Sequence, residues 1–520
     1  MMGPQQQREP TLFHYGVNLD KRVRSSNPLR TIKRAIDFSF VRRRVAGFYG
    51  IEGHESEDPI VIMKLMLLLF MDNVSSEREL MRIVPERLDY LWFLDFDLDD
   101  EIPNHSVLSK ARKRWGGEVF EELFVGTVSQ CVRAGLVDGN KIHMDGSLVD
   151  ANASKDSVRT GPSELIEQLR KAFRREVRKF EEPGDEDDPP GKPQKEHQTT
   201  MVSATDPDAA VARKGRMDSA RPRYKNHRAV DNQCGVITAV ETTPGDIAEN
   251  DRLIDLVRQH ETNTGEKVTA VVADSQYGTN ENFLACRQRQ IRSHMKDLRS
   301  TQIHSANTRG IFKEAEFVFD EETRTYVCPA GERLKWSRTD RHYEVFRSQA
   351  NVCRQCPLRE QCIRSKHGVR TLKRHRAHEQ IQRARAESHS ADARRDRRRR
   401  KHLMEGSFAD AANNHGFKRA RWRRLENQRI QDLLIASCQN VRIFLSTERP
   451  RQVMAMVVKP PHTNNAWGDH GRSAEWPYEA QRRRRASVLK RNRWARRSRS
   501  EINHTGTEKQ GWATAPYALG

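Results

Sequence analysis

The order of apolar segments between residues 140 and 295 constrains the fold of this chain more than any other feature of its sequence. A continuous apolar run at residues 268–274 is typical of a strand that is buried on both faces. Two runs rich in β-branched residues flank a turn at Asn232–Gly235, which predicts a hairpin. Strands are predicted over residues 141–145, 228–231, 236–242, 268–274 and 290–295. Helices are predicted between the later strands, over residues 248–260 and 280–288.

This order of three strands, helix, strand, helix and strand is that of a ribonuclease H-like core with a mixed sheet. We therefore predict an α/β core whose first part runs from residue 139 to residue 298. Residues 155–225 are predicted to form an insertion in it, because they include the run EEPGDEDDPPGKPQ and have almost no large apolar residue after Phe180. One basic helix is expected at residues 163–180, followed by a solvated linker.

Residues 12–135, in front of this core, are predicted to be all helical. Asp58 followed by Pro59 is typical of a helix N-terminus, and Ser76–Glu79 has the spacing of a capping box. Two further helices are predicted over residues 106–115 and 118–134. Their basic faces suit a DNA-binding bundle, although a plain helical scaffold would carry similar helices.

The chain carries 92 lysine and arginine residues against 71 aspartate and glutamate residues, a formal net charge of +21. A surplus of this size attracts polyanions, among which nucleic acid and anionic membrane are the candidates. The most apolar run, residues 60–71, contains Lys64 and is too short to cross a bilayer. The first residues, MMGPQQQREP, lack the features of a signal peptide. We therefore predict a cytoplasmic protein that binds DNA and no membrane.

Two aspartates stand where predicted strands end, Asp145 after the first strand and Asp274 after the fourth. Because ligands gather outside the carboxyl ends of strands in open α/β sheets, these side chains are expected to converge. Carboxylate oxygens are the ligands that Mg²⁺ and Mn²⁺ prefer, and two such ions can hold the attacking and leaving oxygens of a phosphoryl transfer. Glu405, in a later helical segment, is the candidate third carboxylate. The competitors, which are chemically equivalent, are Asp150, Asp231 and Asp410.

The C-terminal half is predicted to comprise three segments. They are a cysteine-bearing insertion at residues 300–370, a basic linker with the C-terminal catalytic helix at residues 371–446, and a disordered basic tail at residues 447–520. The cysteines of the insertion are Cys328, Cys353, Cys356 and Cys362. Four thiolates suit a structural zinc site, although four reduced thiols without a metal would show the same pattern.

Several blocks of the sequence resemble bacterial insertion-sequence DDE transposases, which have a ribonuclease H-like catalytic core and, in similar members, a cysteine-bearing insertion. In the helical region these blocks are DPIVIMKLMLLLFMDNVSSERELMR and IPNHSVLSKAR. In the core they are HMDGSLVDANAS, YKNHRAVDNQCGVITAVETTPGDIAEND and VVADSQYGTNENF. The last blocks are LMEGSFADAANNHGFKRARWR and IQDLLIASCQN. The likeness runs from Pro10 to about Leu445.

The resemblance implies that Asp145, Asp274 and Glu405 are the catalytic carboxylates and hold Mg²⁺ or Mn²⁺. It also implies nicking of double-stranded DNA at the ends of an element and attack of the freed 3′-hydroxyl on target DNA. Such a protein is expected to assemble into a homodimer or a larger synaptic complex, in association with the bacterial nucleoid. The cysteine cluster of similar insertions favours a structural Zn²⁺ at the four cysteines.

Family members often have the spacing Y-x2-R-x3-E-x6-K around the glutamate, whereas this chain has Arg398, Lys401 and Ala412 at the other positions. Lys418 is not expected to replace the missing lysine, because its distance from Glu405 corresponds to roughly 20 Å of continuous helix. The residues predicted to bind DNA are Arg399, Arg400, Lys401 and Arg421. Two alternatives stay open, a DNA-binding relic or regulator that no longer cuts, and a metal-dependent nuclease with the same core.

Overall fold

The computed structural model describes residues 18–50, 55–162, 199–215, 217–297, 310–364 and 368–457, together with residues 2 and 168. The chain divides into two compact units, Met1–Met454 and Ala455–Gly520, and the architecture below is that of the first. Of the second unit, the structure describes only the backbone to residue 457. The helix predicted at residues 163–180 lies outside the described residues except for residue 168, and so does the tail after residue 457.

Eight α-helices precede the sheets within the described residues. They are α1 (Leu19–Arg22), α2 (Pro28–Ala35), α3 (Ser39–Val45), α4 (Pro59–Met71), α5 (Glu77–Ile83), α6 (Leu88–Leu94), α7 (Ser106–Trp115) and α8 (Glu118–Arg133). Both predicted caps are confirmed. The Asp58 carboxylate accepts from the Ile60 N–H at 3.0 Å, and the Ser76 hydroxyl accepts from the N–H of Glu79 at 3.2 Å. No helix in the described part of the chain is long and apolar enough to cross a membrane.

The central sheet has eight strands. They are β1 (Lys141–Asp150), β2 (Val158–Pro162), β3 (Thr199–Ser203), β4 (Ala210–Ala212), β5 (Arg221–Asp231), β6 (Ile237–Pro244), β7 (Ala270–Ala273) and β8 (Arg292–Met295). Five of them lie in the order β6–β5–β1–β7–β8, in which β5 is antiparallel to both neighbours and β7 and β8 run parallel to β1. Helix α9 (Leu253–Thr264) connects β6 to β7, and α10 (Asn280–Gln288) connects β7 to β8. This is the arrangement of a ribonuclease H-like core, so the predicted fold class is confirmed.

Part of the predicted insertion at residues 155–225 belongs to this sheet. β2 pairs with β3, β3 with β4, and β4 with the first residues of β5, so three short strands extend the sheet. The composition of the insertion did not indicate these three strands, because they bury few large apolar side chains. Among their described residues, Val202 is the largest apolar side chain that is buried. Strands are joined by backbone hydrogen bonds, which small and polar residues make as well as large apolar residues do.

The cysteine-bearing insertion forms a second sheet of five antiparallel strands. They are β9 (Val318–Asp320), β10 (Thr325–Val327), β11 (Arg333–Asp340), β12 (Tyr343–Arg347) and β13 (Thr371–His375). Two short helices, α11 (Ala350–Gln355) and α12 (Arg359–Cys362), lie between β12 and β13. A small hydrophobic core supports this sheet and consists of Phe317, Tyr326, Leu334, Phe346 and Leu372.

Three helices follow the second sheet, namely α13 (His378–Ser388), α14 (Ala391–His415) and α15 (Leu425–Val457). The segment predicted as a basic linker is thus largely helical. Its arginines are not all solvated, because Arg385 is buried and lies 3.1 Å from the carboxylate of Asp297. Gly416 has a φ of 66°, a left-handed conformation that ends α14 and turns the chain back. Helix α15 continues beyond residue 447, the predicted start of the tail.

Candidate metal centre

Asp145 and Asp274 lie side by side at one edge of the central sheet. In the parallel register of β1 and β7, His143 is level with Val272. Asp145 lies two residues after His143, and Asp274 lies two residues after Val272, directly beyond the end of β7. Residues that are level in neighbouring strands point to the same face of the sheet. The structure therefore brings these two predicted site residues together.

A third carboxylate, that of Glu249, joins them. One oxygen from each of Asp145, Glu249 and Asp274 lies within 4.8 Å of the other two. Glu249 follows β6, which runs parallel to β1, so that its carboxyl end lies at the same edge of the sheet. Gly146 provides the space, since a Cβ there would lie 2.8 Å from the carboxyl carbon of Glu249. Among the described residues, no other group of three His, Cys, Asp or Glu side chains is spaced in this way.

Glu249 was not among the residues that the sequence predicted. The rule that selected Asp145 and Asp274 applies to it, because it too follows the carboxyl end of a strand. The segment GDIAEND, however, contains Asp246, Glu249 and Asp251, all within a few residues of that strand. The 3₁₀ turn over residues 249–252 decides which of these side chains reaches the group.

Two of these carboxylates, those of Asp145 and Glu249, have raised pKa values. Burial raises the pKa of Asp145 above its ordinary value, Arg400 opposes this shift, and Asp274 adds to it. Burial also raises the pKa of Glu249 to about 7, which Lys225 opposes and the two aspartates increase. A divalent cation between the carboxylates would relieve their repulsion, and their oxygens are the donor type that Mg²⁺ and Mn²⁺ prefer.

The hydroxyl of Tyr277 is buried beside this group and has no hydrogen-bond partner among the residues that the structure describes. Burial, together with the negative charges of the three carboxylates, raises the pKa of Tyr277 well above its ordinary value. Bound Mg²⁺ keeps several of its water ligands, and such a water would supply the missing partner of the hydroxyl. The residues at this edge of the sheet therefore fit a hydrated divalent cation.

Arg400 neutralises part of this negative charge in the structure. Its Nη1 donates to Oδ2 of Asp145 at 2.8 Å, and both side chains are largely buried. Arg400 projects from α14, which packs against β1, β7 and β8. Its guanidinium thus contacts the same carboxylate that a bound cation would use.

Glu405, the predicted third carboxylate, does not join Asp145 and Asp274 in the structure. Its side chain is 66% exposed, and the Nζ of Lys401 lies 4.0 Å from its carboxylate. Successive residues of an α-helix are rotated by about 100°, so Glu405 lies roughly 140° around α14 from Arg400. Because Arg400 faces Asp145, Glu405 projects in another direction, and its catalytic role stays a prediction.

The three competing aspartates each fasten one part of the fold to another. Asp150 accepts hydrogen bonds from two arginines of β5. Asp231 accepts from backbone N–H groups in the loop before β1. Asp410 accepts from the side-chain amides of Asn414 and Gln439. These contacts account for the three residues without a metal.

Two of the arginines predicted to bind DNA contact other parts of the chain. Arg399 donates to the side-chain oxygen of Asn232 at 2.8 Å. Arg421 donates to the side-chain oxygen of Asn73 at 2.9 Å and thereby joins the segment after α14 to the helical domain. Lys401 is exposed on α14. The DNA-binding roles of these residues stay predictions.

The four cysteines of the insertion line one cavity of about 350 Å³. Cys328 follows β10, and the other three lie in or next to α11 and α12. Burial raises the pKa of Cys362, Arg370 opposes this shift, and the other three thiols add to it. Within the described residues, no three of the sulfur atoms lie within 4.8 Å of one another. The thiols therefore share a cavity without being gathered at the spacing of zinc ligands.

Comparisons with known proteins give the class of this chain. Residues 17–114 match the family described as transposase domain (DUF772), and residues 327–444 match the transposase DDE domain. The first match lies in the helical domain, and the second contains the cysteines and Glu405. These two matches confirm the resemblance to DDE transposases that the sequence blocks indicated. No curated protein matches the chain.

Two solved structures are similar over long stretches at low identity. One is a piggyBac transposase synaptic complex with hairpin DNA, which is 10% identical to this chain. The match covers 84% of this chain and 83% of that chain, with a TM-score of 0.34. The other is a Mos1 transposase paired-end complex with the left transposon end, which is 13% identical to this chain. The match covers 49% of this chain and 64% of that chain, with a TM-score of 0.15. Both TM-scores are low, so the class rests on the two domain matches.

Proposed function

We propose that this chain is a transposase that cleaves the DNA strands of an insertion sequence and transfers them to a target in a metal-dependent reaction. The observation that carries the proposal is the group of Asp145, Glu249 and Asp274 at the carboxyl edge of a ribonuclease H-like sheet. The match to the transposase DDE domain supports the reaction class.

The proposed chemistry requires no nucleophilic side chain, because water and a DNA 3′-hydroxyl are the attacking groups. Asp145, Glu249 and Asp274 would hold Mg²⁺ or Mn²⁺, and the bound ions would stabilise the charge on the attacking and leaving oxygens. We retain Glu405 as the catalytic glutamate that the resemblance implies, acting with this group once DNA is bound.

The proposed partner is double-stranded DNA, both at the element ends and at the target. The net charge of +21 and the transposase-domain match over the helical region support this. Transfer of an element requires that its two ends be held together, so we expect a homodimer or a larger synaptic complex. In a bacterial cell such a protein would act on the nucleoid.

The test is strand cleavage and joining of DNA that carries the element ends, with Mg²⁺, in Asp145→Asn and Asp274→Asn variants. Each variant should lose both reactions because each removes a carboxylate of the proposed site, whereas DNA affinity should stay within about twofold. Asp246→Asn, which removes an exposed carboxylate from the same edge, is the matched control and should retain full activity.

Three outcomes would contradict the proposal. Normal cleavage by Asp145→Asn would exclude that residue from the site. Cleavage without joining by the unmodified protein would favour the nuclease alternative. DNA binding with neither reaction would favour the relic or regulator.

We also propose that Cys328, Cys353, Cys356 and Cys362 bind one structural Zn²⁺, the metal that four thiolates select. Their common cavity supports this, since the chain folds so that distant Cys328 lies with the other three. Their present spacing requires that the thiols move closer together when the ion binds.

A further inference from the structure

A cleft of about 500 Å³ lies directly beside the carboxylate group. It is lined on one side by Gly146, Ser147 and Glu249, and therefore adjoins the proposed metal site. Its lining also contains five basic side chains and only two carboxylates. The basic residues are Arg213, Lys214, Arg223, Lys225 and Lys418.

Two of these cations already have partners within the protein. Arg223 contacts the carboxylates of Asp150 and Asp218. Lys225 donates to the backbone carbonyl of Ile247 at 2.8 Å. Such interactions satisfy the cations and fasten this part of the sheet, so neither needs a ligand in the cleft.

Lys214 and Lys418 differ from them. In the described part of the chain, no carboxylate forms an ion pair with either ammonium group, and Lys418 donates only to the hydroxyl of Ser147 at 2.9 Å. Partial desolvation and the nearby Lys214 lower the pKa of Lys418. Asp150, which also lines the cleft, opposes this shift. An anion between the two ammonium groups would further offset their repulsion.

The helix assumed in the expectation for Lys418 is not continuous. That expectation assumed a continuous helix after Glu405, but α14 ends at His415 and the chain turns back at Gly416. The following residues then run along β1, where the N–H of Asp150 donates to the carbonyl of Lys418 at 3.0 Å. This return places the ammonium of Lys418 at Ser147, two residues after Asp145.

We propose that this cleft binds backbone phosphates of the DNA strand that enters the carboxylate group, with Lys214 and Lys418 as the phosphate contacts. The proposal rests on the function proposed above and adds the path of the substrate. The ligand is a phosphodiester backbone, for which lysine provides a compact positive charge without sequence preference. Family members often have a lysine at the position of Ala412 in α14. Lys418, which follows α14, would supply a positive charge in its place.

The experiment measures the salt dependence of DNA binding in full-length protein that carries Asp145→Asn, so that cleavage does not interfere. The probe is a fluorescent DNA duplex of arbitrary sequence, because phosphate contacts are independent of sequence. Lys214→Gln and Lys418→Gln should each lower the slope of log K against log salt by about one, and the double variant by about two. Lys267→Gln, an exposed lysine before the opposite end of β7, should leave the slope unchanged.

Two further variants separate phosphate binding from a structural role. Lys418→Arg keeps the positive charge and should retain the parent slope. Ser147→Ala removes the hydroxyl that accepts from Lys418 but keeps the ammonium, and it should also leave the slope unchanged. A slope that falls in Ser147→Ala as far as in Lys418→Gln would overturn the role of the ammonium as a phosphate contact. All variants should melt within about 2 °C of the parent if the fold is intact.

An unchanged slope in the folded double variant would overturn the cleft proposal and leave the transposase proposal standing. Conversely, normal cleavage by the Asp145→Asn protein would overturn the proposed site, while the slope would still report whether the cleft binds phosphates. Equal losses in the Lys267→Gln control would show a general charge effect and would also overturn the cleft proposal.

Discussion

The two candidate metal sites of this protein are built in opposite ways. The carboxylate group takes its members from three separate segments, and the strands of the central sheet bring them together. Three of the cysteines, Cys353, Cys356 and Cys362, lie close in sequence on short helices, and they share a cavity with Cys328 without reaching ligand spacing. The difference teaches that the strand order and register of a sheet fix the distances between distant side chains more tightly than short helices and loops do.

This contrast also indicates how much each metal would contribute to folding. The central sheet packs in hydrophobic clusters that are much larger than the five buried residues of the second sheet. A cation at the carboxylates would therefore serve chemistry, and a zinc ion at the thiols would serve stability.

The largest expected effect separates Glu249, which belongs to the carboxylate group, from Glu405, which lies outside it. Glu249→Gln should lower the affinity of DNA-free protein for Mn²⁺ by more than about 100-fold. Side chains that only orient a metal ligand typically change the affinity by about 10- to 100-fold. Glu405→Gln should bind Mn²⁺ normally without DNA, because its carboxylate lies outside the group, and yet lose strand cleavage. Calorimetric titration with Mn²⁺ and a cleavage assay test both variants. Normal Mn²⁺ affinity in Glu249→Gln would exclude Glu249 as a metal ligand.

The next effect concerns the thiols. Cys356→Ser should abolish zinc binding, whereas Cys234→Ser, an exposed cysteine outside the insertion, should retain about one zinc per chain. Loss of zinc should remove about 2.7 kcal/mol of stabilisation when free zinc is about 100-fold above its Kd. Elemental analysis and hydrogen exchange of residues 310–364 measure the two effects. A zinc-free parent protein with full exchange protection in this segment would show that the thiols are incidental.

A smaller effect is expected from the guanidinium that contacts Asp145. Arg400→Gln should tighten Mn²⁺ binding roughly fivefold, because about 1 kcal/mol of competing interaction is removed from a partly exposed pair. Arg399→Gln is the matched control, since Arg399 contacts Asn232 instead, and it should bind Mn²⁺ as the parent does. Weaker binding in Arg400→Gln would mean that this arginine positions the carboxylate for the ion.

The smallest effect tests whether a metal-bound water uses the unpartnered hydroxyl. Tyr277→Phe should change the free energy of unfolding of the metal-free protein by less than about 0.5 kcal/mol, because no hydrogen bond is lost. Its Mn²⁺ affinity should fall about two- to threefold. Tyr224→Phe, which removes a hydroxyl that donates to Asp206 at 2.7 Å, should instead cost about 1–3 kcal/mol of stability. Equal stability losses in the two variants would indicate an unseen partner of Tyr277.

Local patterns in the sequence were sufficient for most elements of the core and for two members of its carboxylate group, Asp145 and Asp274. The caps at Asp58 and Ser76, the hairpin and the buried strand before Asp274 each depend on residues close in the chain, so they were predictable. The strands β2–β4 were not, because backbone pairing leaves little mark on composition.

The tertiary structure decided which side chains meet. Glu249 reaches Asp145 because the carboxyl ends of β6 and β1 lie at the same edge of the sheet and because Gly146 leaves space. Neither condition can be predicted from the segment GDIAEND. Lys418 reaches the same edge because the chain reverses at Gly416, whereas Glu405 projects elsewhere from α14. Local propensity sets where a strand or helix begins and ends. Strand order, register and chain reversals set distances between residues that are far apart in sequence, and only the packed fold determines these.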